Sequence, residues 1–209
     1  MHDDLHRYPP FPGRKRLLAA LDQAIQQPGI KAITHTVEQV LREAIADDQI
    51  VLPAGVHEPV HDHYARRELY RSPMHGYSVV AMTWGPGQAT PLHDHSGLWC
   101  VEGVWNGTLQ ITQYALQEQA GERFQFRAGR GLLAGRGSAG CLIPPHEYHT
   151  ICNPSPDQIA VSVHVYQQVM ERCTVFLPDP AHPHWYLRET RDLQTETAPA
   201  QRTAVASGG

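Results

Sequence analysis

Two regimes of hydrophobic spacing divide the chain. Between Arg14 and Gln27, apolar residues fall at Leu17, Leu18, Leu21, Ala24 and Ile25, the three-to-four spacing of an amphipathic helix. Pro28-Gly29 ends it. A second helix is expected from about Val37 to Asp47, with Val37, Val40, Leu41, Ala44 and Ile45 on one face. Thr36 and Gln39 offer it a capping box. From about Tyr64 the pattern shortens to runs at 77–84, 98–105, 108–114, 123–128, 140–143, 148–152, 159–166 and 173–177, separated by Gly and Pro. Many short strands with regular turns predict a mostly-β sandwich or small barrel, and Asn106-Gly107 reads as a hairpin turn. The expectation is one domain over residues 1–190, helical at about 14–48 and a barrel at about 64–178. A tail at 191–209, rich in Thr, Ala, Gln, Ser and Gly, reads as disordered.

Composition narrows the function classes. A chain of 209 residues with 41% apolar content can bury one sizeable core. Its net charge of −4 argues against binding nucleic acid by neutralising phosphates. The four cysteines form no Cys-x-x-Cys pair, which makes a zinc ribbon improbable. The opening Met1–Arg7 carries no apolar h-region, and no run approaches a membrane span. Free thiols in a reducing cytoplasm are therefore expected, with neither nucleic acid nor membrane as partner. Oligomeric state is not legible.

Candidate chemistry centres on His93-Asp94-His95. In a strand, both imidazoles leave one face. His149, after Pro144-Pro145-His146-Glu147-Tyr148, is the candidate third ligand. Three imidazoles suit zinc, copper, iron or nickel. His61-Asp62-His63 has the same form but lies in a Pro-rich loop and reads as solvated surface. Along 160–166, Val161, Val163 and Val165 alternate with Ser162, His164 and Tyr166. A polar row on an apolar strand implies a polar cavity, in which hydroxyl, imidazole and phenol can hydrogen-bond in series. Trp84, Trp99, Trp105, Cys141, Cys152 and Cys173 are read as packing. Arg66 and Arg67 pose a question of strand parity, and Arg66 shares a face with Tyr64.

Gly87-Gln88-Ala89-Thr90-Pro91-Leu92-His93-Asp94-His95 resembles the first signature of the cupin superfamily, with Gly107 closing it. His149 with Asn153 resembles the second, although His146 stands where Gly is usual. Where most metal cupins place a Glu ligand, this chain has Cys100. That exchange resembles thiol dioxygenases of the cysteine dioxygenase type. So do Ser162-x-His164-x-Tyr166, Tyr64-Ala65-Arg66 and Trp84-Gly85, and the likeness covers roughly 64–177. The residues after Tyr166, Gln167-Gln168, depart from the Ser-Pro-Pro turn of mammalian-type members.

The resemblance implies a cupin barrel with N-terminal helices and Fe(II) held by His93, His95 and His149. It implies Arg66 and Tyr64 as contacts to a substrate carboxylate, and Tyr166, His164, Ser162 and Cys100 as catalytic residues. The reaction implied adds both atoms of O2 to a small thiol carboxylate to give a sulfinate. L-cysteine is the leading substrate and 3-mercaptopropionate the alternative. Cys100 and Tyr166 can be joined as a thioether in such enzymes. Another metal cupin, such as an isomerase, or a non-catalytic ligand-binding module, is the competing reading, and the loss of the Glu at the Cys100 position counts against an isomerase.

Overall fold

The computed structural model describes residues 8–196. Helices α1 (Arg14–Ile25) and α2 (Ile30–Ala46) precede β1 (Ala65–Arg71), β2 (Ser78–Trp84), β3 (Leu92–His93), β4 (Cys100–Asn106), β5 (Thr108–Ala120) and β6 (Arg123–Ala128). There follow β7 (Leu132–Gly135), β8 (Ala139–Leu142), β9 (His149–Cys152), β10 (Ala160–Tyr166), β11 (Arg172–Pro178) and β12 (Trp185–Asp192). The strands form a five-stranded sheet ordered β1-β2-β10-β4-β8 and a seven-stranded sheet ordered β6-β12-β11-β3-β9-β5-β7. The far half of β5 also pairs with β6, which closes the second sheet on itself. The fold is the mostly-β cupin barrel with two N-terminal helices.

Strand parity assigns the two cores. Val161, Val163 and Val165 of β10, Val79 and Ala81 of β2, and Val101 of β4 face outward and pack on Leu17, Leu21, Val37, Leu41 and Ile45 of the helices. The alternate residues, Val80, Met82, Trp84, Cys100, Val104 and Tyr166, face into the barrel. Fully burying each aliphatic side chain contributes about 1.5–3 kcal/mol, so the helical layer fixes which face of the central strands points inward. Gly103 of β4 sits under this layer, and a Cβ there would lie 2.9 Å from Ile45 Cδ1.

Three local expectations are corrected. Helix α2 begins at Ile30, more than a turn before Thr36. The Thr36 hydroxyl donates to the Ala32 carbonyl at 2.8 Å, a bond made inside a helix, so it caps nothing. Asn106-Gly107 is not a hairpin turn between paired strands. It is a corner where the chain leaves the five-stranded sheet for the seven-stranded one. Gly107 takes φ +73°, and a Cβ there would come within 2.7 Å of the Ile159 carbonyl, so both conformation and space require glycine. The expected tail starts too early. Residues 191 and 192 end β12, Leu193 N–H donates to the Glu171 carbonyl at 2.7 Å, and Glu196 N–H to the Arg66 carbonyl at 2.6 Å. Residues 1–7 and 197–209, with what was expected of them, lie outside the described residues. Among the described residues no helix is long and apolar enough to cross a membrane.

Candidate metal centre

His93 of β3 pairs in register with His149 of β9, and His95 follows just beyond the strand. The ring centroids lie 4.3 Å (His93–His149), 5.0 Å (His95–His149) and 5.5 Å (His93–His95) apart. One nitrogen from each falls within 4.8 Å of the others. Strand periodicity alone does not bring His95 in, because β3 is only two residues long. The Asp94 carboxylate does so by accepting the amides of Ser96 at 3.0 Å and Thr174 at 2.9 Å, while Ser96 turns at φ 54°.

Backbone carbonyls set two of the tautomers. His93 Nδ1–H donates to the Pro91 carbonyl at 3.1 Å and His149 Nδ1–H to that of Glu147 at 2.8 Å. Each Nε2 lone pair is left facing inward. His149 Nε2 and His95 Nδ1 are buried without a hydrogen-bond partner. Burial lowers the basicity of all three rings, and neighbouring imidazoles lower His95 and His149 further. Neutral, convergent and unsatisfied imidazoles fit a divalent transition metal.

The inward row of β10 is organised by a residue read as packing. The Trp84 indole N–H donates to Ser162 Oγ at 2.9 Å, and Ser162 Oγ lies 2.8 Å from His164 Nε2. The expected series then breaks. His164 and Tyr166 stack with planes 13° apart and centroids 5.9 Å apart, and among the described residues no hydrogen bond joins them. His164 Nδ1 instead faces Glu102 Oε2 at 3.4 Å and Cys100 Sγ at 3.9 Å. Tyr166 pairs in register with Cys100, and both side chains are buried in the inner core. Burial pushes both of their pKa values well up. It pushes His164 down to about 3, helped by Arg66 and His93.

Arg66 pairs with Met82 and Arg67 with Ala81, so Arg66 enters the barrel and Arg67 faces the other way. The β1 bulge falls between Glu68 and Tyr70, past both arginines, and leaves their parity intact. Arg66 Nε and Nη1 are buried without partners. Arg67 donates to Thr83 Oγ1 at 3.0 Å and to the Glu58 carbonyl at 2.7 Å. Tyr64 stacks on Trp84 at 4.5 Å. A cavity of about 430 Å³ is lined by Tyr64, Arg66, the three histidines and Tyr166. Cys173, expected in the core, also lines it, and His63, expected to be bare surface, stands at its edge with Asp62.

Glu102 escaped the sequence reading. It is buried at 6% exposure and pairs in register with His164. Burial alone raises its pKa to about 8. With His164 near 3, both groups are neutral at pH 7, so their 3.4 Å contact is not an ion pair. Parity with Cys100, two residues earlier on an inward face, was the signal that could have found it.

The fold and the histidine cluster define a cupin-type barrel with a candidate metal centre. Residues 50–178, well over half of the chain, match the family model of cysteine dioxygenase type I, and the chain belongs to that family. Among solved structures it is similar to a protein of Thermus thermophilus, at 19% identity over 53% of this chain and 89% of that one, with a TM-score of 0.40. A double-stranded β-helix protein of Klebsiella pneumoniae is 17% identical over 58% of this chain and 85% of that one, TM-score 0.43. A cupin superfamily protein of Desulfitobacterium hafniense is 12% identical over 56% and 90%, TM-score 0.39.

Proposed function

We propose that this chain is a non-haem Fe(II) thiol dioxygenase that converts a small thiol carboxylate, L-cysteine in the first place, to its sulfinate. One observation carries the reading. Three imidazoles and the guanidinium of Arg66, with buried and unpartnered N–H donors, line the same cavity. Such a cavity suits a molecule with a thiolate at one end and a carboxylate at the other. Bound by the histidines, Fe(II) would supply thiol acidification and reactivity toward O2.

The chain's own groups do the rest. Arg66 holds the carboxylate in a bidentate, charge-assisted pair and so aims the thiol at the histidines. Tyr64, stacked on Trp84, walls the cavity against water. Tyr166, kept protonated by burial, donates a hydrogen bond into it. Trp84 and Ser162 hold the His164 ring on which Tyr166 rests. The in-register pairing of Cys100 with Tyr166, both on the inward face, supports a thioether from Sγ to the ring carbon beside the hydroxyl. Forming it removes the thiol and ring hydrogens, with O2 taking the two electrons, so linked protein is lighter by two hydrogens.

Anaerobic Fe(II) loading followed by oxygen uptake with L-cysteine and 3-mercaptopropionate in parallel tests the reading. Iron near one per chain and sulfinate formation are expected, faster with L-cysteine. Iron-loaded protein that consumes no oxygen with either thiol defeats it. Faster turnover of 3-mercaptopropionate would move the substrate and keep the reaction.

A further inference from the structure

We infer that the barrel holds a second small-molecule site, a cavity lined by Glu102 and Gly140 that takes a compact apolar molecule carrying one hydroxyl head. The site lies apart from the metal cavity and does not rest on the proposed reaction.

The cavity measures about 320 Å³, within the roughly 300–1,000 Å³ of small-molecule sites. Ser162 of β10 lines it, whereas His164 and Tyr166 of the same row line the metal cavity, and Ile151 borders both. Leu109, Ile111 and Leu142 complete its apolar wall. Leu132 and Leu133 of β7, 63% and 71% exposed, stand at the solvent side. The cavity is lined by β7 and β8, the end strands of the two sheets, and among the described residues no ladder joins them, which leaves a way in. Two features of the wall fit a ligand better than they fit packing. Glu102 is only 6% exposed and its Oε2 has no hydrogen-bond partner, which is costly in an apolar interior. Opposite it in register stands Gly140, where an added Cβ would meet nothing within 4 Å. A glycine inside a strand often marks a place that another molecule approaches closely, and this one leaves room directly across from the unpaired carboxyl. A hydroxyl both donates and accepts, so it satisfies that carboxyl in either protonation state, while the leucine and isoleucine walls take the apolar body.

The alternative is that water alone fills the cavity. Calorimetric titration of the full-length protein with n-hexanol and with n-hexyl chloride separates the two. Saturable uptake of a single n-hexanol per chain is expected, roughly tenfold tighter than uptake of the chloride, as for one hydrogen bond to a buried group. Glu102→Leu should erase that preference. Gly140→Leu should abolish uptake of both probes, because the new side chain fills the space across from Glu102. The inference is overturned by wild-type protein that shows no saturable uptake, or by equal affinity for the two probes. It is overturned equally by a preference that persists in Glu102→Leu, or by uptake that survives in folded Gly140→Leu. If Gly140→Leu does not fold, Gly140→Val is read in its place, with the same loss expected and undiminished uptake again overturning the inference.

Discussion

The tripeptide His-Asp-His occurs twice, at 61–63 and at 93–95, and the two copies meet opposite fates. In the second, the aspartate turns away from its histidines to bind the amides of Ser96 and Thr174. The imidazoles are left to backbone carbonyls and to one another, and burial makes them poor bases. In the first, Asp62 turns toward His63 at 2.7 Å, and Glu196 reaches its other nitrogen at 3.0 Å. These carboxylates, Glu196 foremost, make His63 a better base. The same three letters give a candidate metal-ligand pair or a histidine pinned between two carboxylates. What the intervening carboxylate bonds, and whether water reaches the rings, decides which.

Replacing one histidine in each copy gives the largest contrast. His95→Ala should remove most of the bound metal and the activity, while His61→Ala leaves both intact, as iron content and oxygen uptake will report. Equal iron in the two variants would break the comparison. The neighbouring arginines extend it to a second pair of like residues. Arg66→Ala should raise KM by an amount equivalent to about 2–5 kcal/mol, as for loss of one partner of a buried charge pair. Arg67→Ala should instead lower stability with KM unchanged, since its hydrogen bonds run to Thr83 and Glu58. The reverse result would mean that Arg67 faces the cavity.

A smaller effect is expected at the aspartates. Asp94→Ala leaves two amides without their acceptor and should cost about 1–3 kcal/mol in a urea melt, whereas Asp62→Ala should cost little. The smallest and sharpest test is the sign of the pH dependence in metal-free protein. For the buried triad the folded pKa values lie below the ordinary 6.5. Below pH 6.5 the unfolded chain therefore binds more protons, and stability should fall as pH drops from 6.5 toward the folded values. For His63 the folded value is raised above 6.5. Its contribution is fully present below 6.5 and is lost as pH rises through that folded value. His95→Gln should flatten the acid side of the stability curve and His63→Gln the neutral side.

Much of this was legible wherever a period of two or three to four runs long enough. The outward valines and inward Ser162, His164 and Tyr166 of β10 follow from alternation alone, and the helix faces from their spacing. The histidine triad was legible as motif spacing, although Asp94, and not a strand, brings His95 into place. What long-range closure creates was not legible. Strand β12 drew no strand expectation, and its last two residues read as tail, because its pairing with β6 and β11 cannot be seen locally. Trp84 looks like packing until folding carries Ser162, 78 positions along, to its indole N–H. Glu102 hides in Cys-Val-Glu-Gly-Val, where a single acid suggests solvent and not a barrel interior.

The central claim is that this cavity adds both atoms of O2 to a thiol fixed by Arg66. Turnover of iron-loaded protein with L-cysteine under oxygen gas enriched in the heavy isotope, read by product mass, tests it most directly. The expected product is a sulfinate carrying two labelled oxygen atoms. A product with label in only one oxygen, or in none, would contradict it.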